Sequence, residues 1–221
     1  MKNIFYFFLV IIFSASCKID NYAPPNAMLS GKLIDNETNE AVENGGVNGG
    51  AVIQIYEDNS TQPILINSYP DGRFVNSALF SGNYKIVAVG AFKMVGDTIR
   101  TAISQSTQVD IKVLPNIRLK ATLHSSDGTS ATIRVAYSKV HDAETLRELA
   151  VVWSTIDNPN LSTSFKGGQQ TVNITPQDPT TGEMSFTITG LTAGVKYYIR
   201  AAGRTNNPGN YYNYSTTIKT Q

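Results

Sequence analysis

The sequence predicts an all-β protein made of two β-sandwich domains, and three observations lead to that prediction. Turn-forming Gly, Pro, Asn, Ser and Thr recur throughout the 221 residues and separate short runs rich in β-branched and aromatic residues. Many of these runs alternate apolar and polar side chains, as half-buried strands do. The length allows two domains of roughly 90 to 100 residues, each with a modest core. We therefore expect one domain at residues 27–115 and another at residues 116–221.

The composition excludes several classes of function. Eighteen basic and 17 acidic residues give a net charge of +1, so we expect no nucleic acid partner. The single cysteine, Cys17, cannot form an intramolecular disulfide. The two histidines, His124 and His141, lie in different contexts, and a zinc site needs about four clustered ligands. We therefore expect no metal and no cofactor.

Residues 1–16 predict a secretory signal peptide. Residues 4–13 are an unbroken apolar run of ten, and a helix that crosses a bilayer needs about twenty. Small residues then lead to Cys17, a pattern that resembles a bacterial lipobox. The resemblance implies that Cys17 carries a diacylglycerol anchor and that residues 17–26 form a lipidated tether. An ordinary cleaved signal with an incidental cysteine is the alternative.

Alternating runs of apolar and polar residues predict the strands of the first domain. Those strands are expected at residues 28–35, 51–56, 85–89, 97–104 and 108–114. Between the first two, residues 36–50 are polar and glycine-rich, which predicts a flexible loop. A phosphate cradle is excluded there because neither a Gly-Lys-Ser/Thr sequence nor a helix signal follows.

Two tight turns punctuate the first domain, at residues 71–74 (DGRF) and 81–84 (SGNY). Their order after the strand at residues 28–35 resembles the carboxypeptidase regulatory-like, transthyretin-like sandwich over about sixty residues. The resemblance implies a fold and no particular ligand. Asp71 is interpreted as a turn former, because the further acidic ligands of an EF-hand calcium loop are missing.

The second domain shows the same alternation. Its strands are expected at residues 117–123, 131–138, 149–154 and 184–189 and in the run that ends at residue 201. Residues 141–148 are longer than a tight hairpin needs, and they predict a helical turn with Asp142 as its cap. Trp153 alternates in phase with Leu149 and Val151, which predicts a place in the core or the sheet.

Residues 191–197 (LTAGVKY) resemble the fibronectin type III signature Leu-x-x-Gly-x-x-Tyr. The resemblance implies a fibronectin type III-like, Ig-like sandwich in which Tyr197 is the tyrosine corner. The alternation that follows predicts that Ile199 and Ala201 point into the core. Tyr198 and Arg200 are then expected to point outward.

No catalytic site is recognisable in the sequence. A Gly-x-Ser-x-Gly nucleophile elbow is missing, and so is a nucleotide-binding glycine motif with the right flanks. Asp and Glu residues are present, but no motif pairs them for glycoside cleavage. We therefore expect that the protein is not an enzyme.

A cluster of tyrosines and asparagines near the C-terminus is the candidate binding site. It contains Asn210, Tyr211, Tyr212 and Tyr214, on the last predicted loop and strand of the second sandwich. Such loops often carry binding function. Aromatic rings can stack on sugar C–H groups while amides bond hydroxyls, so the cluster predicts a glycan surface. The alternative is that the tyrosines pack across the sheet.

Taken together, the lipobox at Cys17 and the two sandwiches resemble a Bacteroidota surface lipoprotein family of unknown function. Members of that family are often encoded beside SusC/SusD-type glycan-uptake pairs. The resemblance implies an outer-membrane, lipid-anchored protein at the cell surface that binds or presents polysaccharide without catalysis. A structural or adaptor lipoprotein that docks a partner protein is the alternative, since exposed sheet edges suit that role.

Overall fold

The computed structural model describes residues 23–47, 49–174 and 180–220. The predicted signal peptide and the anchor Cys17 lie outside the described residues. Over the described residues the chain forms strands, turns and one short 3-10 helix, Thr163–Phe165, so the predicted all-β class is confirmed. Among these residues, none belongs to a helix long and apolar enough to cross a membrane.

The first sandwich is built from nine strands. They are β1 (Ala27–Asp35), β2 (Val52–Glu57), β3 (Ile64–Asn67), β4 (Arg73–Leu79), β5 (Gly82–Val89), β6 (Phe92–Met94), β7 (Ile99–Ile103), β8 (Thr107–Gln108) and β9 (Ile111–Pro115). One sheet has the order β4-β1-β9-β6, with β8 also paired to β1, and the other has the order β3-β2-β5-β7. Alternate residues of both sheets, such as Leu29 and Leu33 of β1 and Ile53 and Ile55 of β2, are fully buried in one shared core.

The described residues of the second sandwich form eight strands. They are β10 (Ile117–Ser126), β11 (Ser130–Lys139), β12 (Leu146–Ser154), β13 (Gly168–Asn173), β14 (Thr181–Thr189), β15 (Tyr198–Thr205), β16 (Asn213–Tyr214) and β17 (Ile218–Lys219). The sheet β10-β11-β14 faces the sheet β13-β12-β15-β16, in which β17 also pairs with β15. Ile133, Phe186, Leu149 and Ile199 lie in the core between them. Trp153 packs against the same core, as predicted.

The predicted turn residues adopt the expected conformations. Gly72 has a φ of +80°, and Asp71 Oδ1 accepts a hydrogen bond from the Arg73 amide at 3.1 Å, so Asp71 is a turn former. Tyr197 is the tyrosine corner, because the Thr192 amide donates to its hydroxyl at 3.2 Å. The turn at Gly72 and the tyrosine corner at Tyr197 therefore mark where the chain changes direction between strands.

The helical turn predicted for residues 141–148 is limited to residues 141–144. The Glu144 amide donates to the His141 carbonyl at 3.1 Å, which closes a single turn. From Leu146 onward the backbone pairs with β15, and the Leu146 side chain is buried. Burial of Leu146 in the core therefore outweighs the local signal for a helix, and β12 begins three residues earlier than predicted.

The loop at residues 36–50, predicted to be flexible, is largely fixed by hydrogen bonds. The buried Asn44 side chain donates to the Tyr69 carbonyl at 3.0 Å and accepts from the Gly46 amide at 2.8 Å. Ser68 donates to the same amide oxygen at 3.0 Å. The prediction was wrong because glycine content alone does not reveal a buried amide that satisfies the loop backbone.

Candidate functional site

The outer face of the sheet β13-β12-β15-β16 is partly covered instead of open to solvent. Along β15, Ile199 and Ala201 point into the core, as predicted, whereas Arg200 and Ala202 point to the outer face. A small second hydrophobic cluster lies there. It consists of Ala150, Val152, Ala202 and Tyr214, with Leu161 and Tyr212 packed against it. Tyr214 reaches this cluster from β16, which pairs with β15 at the edge of the sheet, and Leu161 reaches it from the segment after β12.

Arg200 is fully buried, although its position on the outer face was correctly predicted. Its Nη1 donates to the Asn44 carbonyl and its Nη2 to Glu43 Oε2, both at 3.0 Å. Its Nε donates to the Ser215 carbonyl at 2.9 Å. Because the loop of the first sandwich lies on this face, the expected exposure of Arg200 is wrong. Arg200 thus joins the two sandwiches.

Burial shifts both partners of this ion pair toward their neutral forms. It raises the pKa of the Glu43 carboxyl, and Arg200 only partly offsets that shift. Burial likewise lowers the pKa of the Arg200 guanidinium, although an arginine stays charged in proteins. A second link, between Arg118 and Asp35, spans the same junction with Nε and Oδ2 at 2.6 Å. The junction is therefore a structural contact that depends on paired charges.

Tyr214, one of the predicted ligand-binding residues, belongs to this buried junction. It is 6% exposed, and the Arg200 guanidinium lies 4.7 Å from its ring centroid. The Leu161 amide donates to its hydroxyl at 3.2 Å. Its ring and hydroxyl are therefore occupied, and the packing alternative describes Tyr214 better than the glycan surface does.

The loop at residues 206–212, which carries the other predicted residues, is organised by the buried side chain of Asn207. Its Nδ2 donates to the Tyr211 carbonyl at 3.0 Å, and its Oδ1 accepts from the Tyr211 amide at 2.9 Å. The Asn210 amide donates to the Asn207 carbonyl at 3.1 Å, and Asn210 has a φ of +52°. The loop is therefore held in a defined shape by its own hydrogen bonds.

Tyr212 belongs to a polar network on the rim of the covered cluster. Its hydroxyl donates to Glu148 Oε1 at 2.8 Å and accepts from Arg204 Nε at 3.0 Å. Arg204 Nη1 also donates to Asn210 Oδ1 at 3.1 Å. Burial, followed by the bond to Glu148, raises the pKa of the Tyr212 phenol to about 12. The phenol therefore stays protonated and holds a fixed orientation.

Tyr211 and Asn210 complete a surface that we call the loop surface. It is formed by Glu148, Arg204, Asn210, Tyr211 and Tyr212. Asn210 is exposed, and the tyrosines are half-buried. The structure thus joins Asn210 and Tyr212 through Arg204, places Tyr211 between them in the chain on the same loop, and separates Tyr214 from them. Glu148 and Arg204 were missed, because they come from two strands that only the sheet pairing brings side by side.

A groove also lies at the junction of the sandwiches. It has a volume of about 410 Å³, and its walls include Asp35, Glu43, Arg118, Lys120 and Tyr214. Two of its charged residues, Asp35 and Arg118, already bind each other. Within the described parts of the chain, no three His, Cys, Asp or Glu side chains come together as a metal site requires. The groove thus combines a bound ion pair with other polar walls, and the loop surface combines aromatic, amide and charged groups that are likewise bonded to one another.

The first sandwich resembles a known family in sequence, and nearly the whole chain resembles solved structures in fold. Residues 27–114 match the family DUF3823, "Protein of unknown function (DUF3823) N-terminal domain". The first sandwich is thus similar to a family of unknown function. No curated protein matches the chain at a significant level.

Solved structures of DUF3823 family proteins share the fold over nearly their whole length. One from Bacteroides uniformis is 16% identical with a TM-score of 0.75, and the match covers 89% of this chain and 99% of that chain. One from Parabacteroides merdae is 18% identical with a TM-score of 0.74, covering 90% and 100% of the two chains. At these identities the similarity shows the fold alone.

A third similar structure, also from Bacteroides uniformis, is described as "a putative carbohydrate binding protein". It is 18% identical with a TM-score of 0.72, and the match covers 89% of this chain and 99% of that chain. All three similarities extend across both sandwiches, which agrees with the predicted β-sandwich fold class.

Proposed function

We propose that this protein is a non-catalytic lipoprotein that binds or presents polysaccharide at the cell surface. In this proposal Cys17 carries the lipid anchor in the outer membrane, and a SusC/SusD-type uptake system receives the glycan. The observation that carries the proposal is the loop surface, where a preformed loop holds two half-buried tyrosines beside an amide and a charged pair. The carbohydrate-binding description of one structural neighbour supports the same class of ligand.

The chemistry of the loop surface suits sugars. A tyrosine ring offers an apolar face and a polar tip, and a guanidinium has five N–H donors, so Arg204 keeps N–H groups beyond its bonds to Glu148, Tyr212 and Asn210 that can donate to hydroxyls. Because Asn207 already fixes the loop, little conformational entropy is lost when a ligand binds. A shallow preformed surface of this kind binds a polymer without needing a deep cleft.

The experiment is native gel electrophoresis of residues 18–221, which retain every described residue, in a panel of soluble polysaccharides. We expect one or more glycans to retard the protein. Tyr211→Ala should weaken that retardation about tenfold or more, as loss of an aromatic hot spot does. The matched control is Tyr69→Ala, which removes an exposed tyrosine from the first sandwich and should leave retardation unchanged. If both variants reduced retardation equally, the glycan site would not lie on the loop surface.

A structural or adaptor role is the second candidate, and one observation favours it. The edge strand β3 exposes Ile64 and Leu65, whose exposed fractions are 39% and 60%. An edge strand with exposed apolar side chains can pair with a partner protein. Absence of retardation across a broad panel, together with recovery of a protein partner that Leu65→Lys abolishes, would favour this role over glycan binding.

A further inference from the structure

The edge strand β13 presents a row of polar side chains that adjoins the loop surface. Gln169, Thr171 and Asn173 alternate along the strand, and all three are exposed. The antiparallel register places Asn173 opposite Glu148, and residues directly opposite each other share a face of the sheet. The row therefore lies on the same face as the loop surface.

The row and the loop surface are continuous across the sheet. Glu148 lies between Asn173 on β13 and Arg204 on β15, because it pairs with both in register. From Gln169 to Asn173 the strand rises about 14 Å, at about 3.4 Å per residue. Together the row and the loop surface form an elongated strip that is longer than the loop surface alone.

The side chains of the row are suited to hydroxyl groups. Gln169 Nε2 donates to the Thr171 hydroxyl at 3.3 Å, which leaves the hydroxyl proton of Thr171 to donate outward. Asn173 adds an exposed amide with both donors and an acceptor. Among the described residues β13 is the edge of its sheet, so a long ligand can lie along it without meeting another of the described strands.

The charges on the strip are largely balanced. Glu148 and Arg204 pair with each other at 3.3 Å, and the side chains of the row are uncharged. Lys166 stands at the far end, where its Nζ donates to Gln169 Oε1 at 2.7 Å. Lys166 is thus the single excess charge, at one end of an otherwise balanced strip, which gives only a weak electrostatic preference for uronates or sulfates.

We infer that the strip binds the interior of a neutral polysaccharide chain, which runs from the loop surface along β13. The inference rests on the proposed function and adds the ligand class and the second contact region. An extended chain gains contacts from each further sugar that reaches the row. Binding should therefore strengthen with chain length until the row is covered.

The test measures the affinity of residues 18–221 for a length series of neutral oligosaccharides by isothermal titration calorimetry. The series comes from the polysaccharide that retards the wild type. Wild-type affinity should rise about tenfold from the shortest ligand that binds to the longest. The variant Gln169→Ala/Thr171→Ala/Asn173→Ala should lose that rise and keep the affinity for the shortest ligand. Asn173→Ala alone should lose part of it, which guards against misfolding of the triple variant.

Gln170→Ala is the matched control, because Gln170 is exposed on the same strand but opposes Val151 on the core-facing side. It should behave as the wild type does. A length dependence that survives in the triple variant overturns the inference while glycan binding stands. Binding to anionic glycans alone, with affinity that falls as salt is added, also overturns it. Absence of any glycan binding by the wild type overturns the inference and the proposed function together.

Discussion

At the scale of single residues, two arginines decide how the sandwiches are held together. Arg200 and Arg118 both come from the second sandwich, and both reach acidic residues of the first, Glu43 and Asp35. Arg200 is fully buried, whereas the Arg118 side chain is 30% exposed. Arg200 should therefore contribute more to the free energy of unfolding than Arg118 does.

Replacing Arg200 by Met should lower the free energy of unfolding by about 3 to 5 kcal/mol, because Glu43 and the Asn44 carbonyl lose their buried donor. Urea unfolding followed by circular dichroism measures the loss. Arg134→Met is the matched control, since the Arg134 side chain is 45% exposed and lies 4.0 Å from Glu183. It should cost less than about 1 kcal/mol. Similar losses in the two variants would contradict the structural role of Arg200.

The Asp35 carboxyl should make the free energy of unfolding depend on pH in the acidic range. Burial by itself raises the pKa of Asp35, but hydrogen bonds from Arg118 and from the Glu37 amide outweigh it and lower the pKa below its ordinary value. A depressed pKa contributes stability above the unfolded value of about 4, and that stability is lost as pH falls through the folded pKa.

Asp35→Asn should therefore cost about 1.5 to 3 kcal/mol at pH 7, and the difference from wild type should shrink below about pH 4. Urea midpoints at a series of pH values measure this. Asp71→Asn, which removes an exposed pair with Arg73, should cost less than about 1 kcal/mol at pH 7. A difference in the free energy of unfolding between wild type and Asp35→Asn that stays constant down to pH 2 would contradict a stabilising ion pair between Asp35 and Arg118.

At the scale of elements, the loop at residues 41–50 connects the first sandwich to the buried junction. Asn160 of the second sandwich donates to the Gly45 carbonyl at 2.6 Å. A Cβ atom added at Gly50 would lie 2.3 Å from Asn44 Oδ1 and 2.4 Å from the Gly46 carbonyl oxygen. The loop can therefore close only if residue 50 is a glycine.

Gly50→Ala should lower the free energy of unfolding by about 1 to 3 kcal/mol, because the added methyl group displaces the Asn44 amide from its partners. Thermal unfolding followed by circular dichroism checks this. Gly82→Ala serves as the comparison, since the atom nearest to its added Cβ is 3.8 Å away. It should be neutral or slightly stabilising. Equal destabilisation by both changes would mean that loop closure is not the cause.

Local patterns predicted most strands and turns but not the elements that build the site. Residues 71–74 and 191–197 carry turn signals that need no tertiary context. β13, by contrast, has one apolar residue, Val172, which packs against the core, and its other residues except Gly168 are exposed, so the strand shows no apolar alternation. The burial of Tyr214 could not be foreseen either, since the side chain that covers it, Arg200, is held by a loop more than 150 residues earlier in the chain.

At the scale of the whole molecule, the junction should make the two sandwiches unfold together. The Arg200 and Arg118 pairs are reinforced by the Asn116 amide, which donates to the Ala91 carbonyl at 2.9 Å. Domains that share a large, well-bonded interface lose their independence in unfolding. The orientation of the strip relative to the first sandwich is then fixed by the same contacts.

Differential scanning calorimetry should therefore show one transition for residues 18–221. The double variant Arg118→Ala/Arg200→Met should show two transitions, because each core remains while the charged links that Arg118 and Arg200 make between the sandwiches are removed and neutral hydrogen bonds are left there. A wild-type protein that already unfolds in two separate transitions would show that the junction does not couple the sandwiches.

The strip on the second sandwich is the central claim, and NMR mapping of a bound glycan tests it most directly. Backbone amide chemical shifts of residues 18–221 are followed during titration with oligosaccharides. These oligosaccharides are prepared from the polysaccharide that retards the protein in native gels. The account predicts shifts at Asn210, Tyr211, Thr171 and Asn173, with little change at the junction groove. Shifts confined to the groove near Lys120, or to the first sandwich, would contradict it.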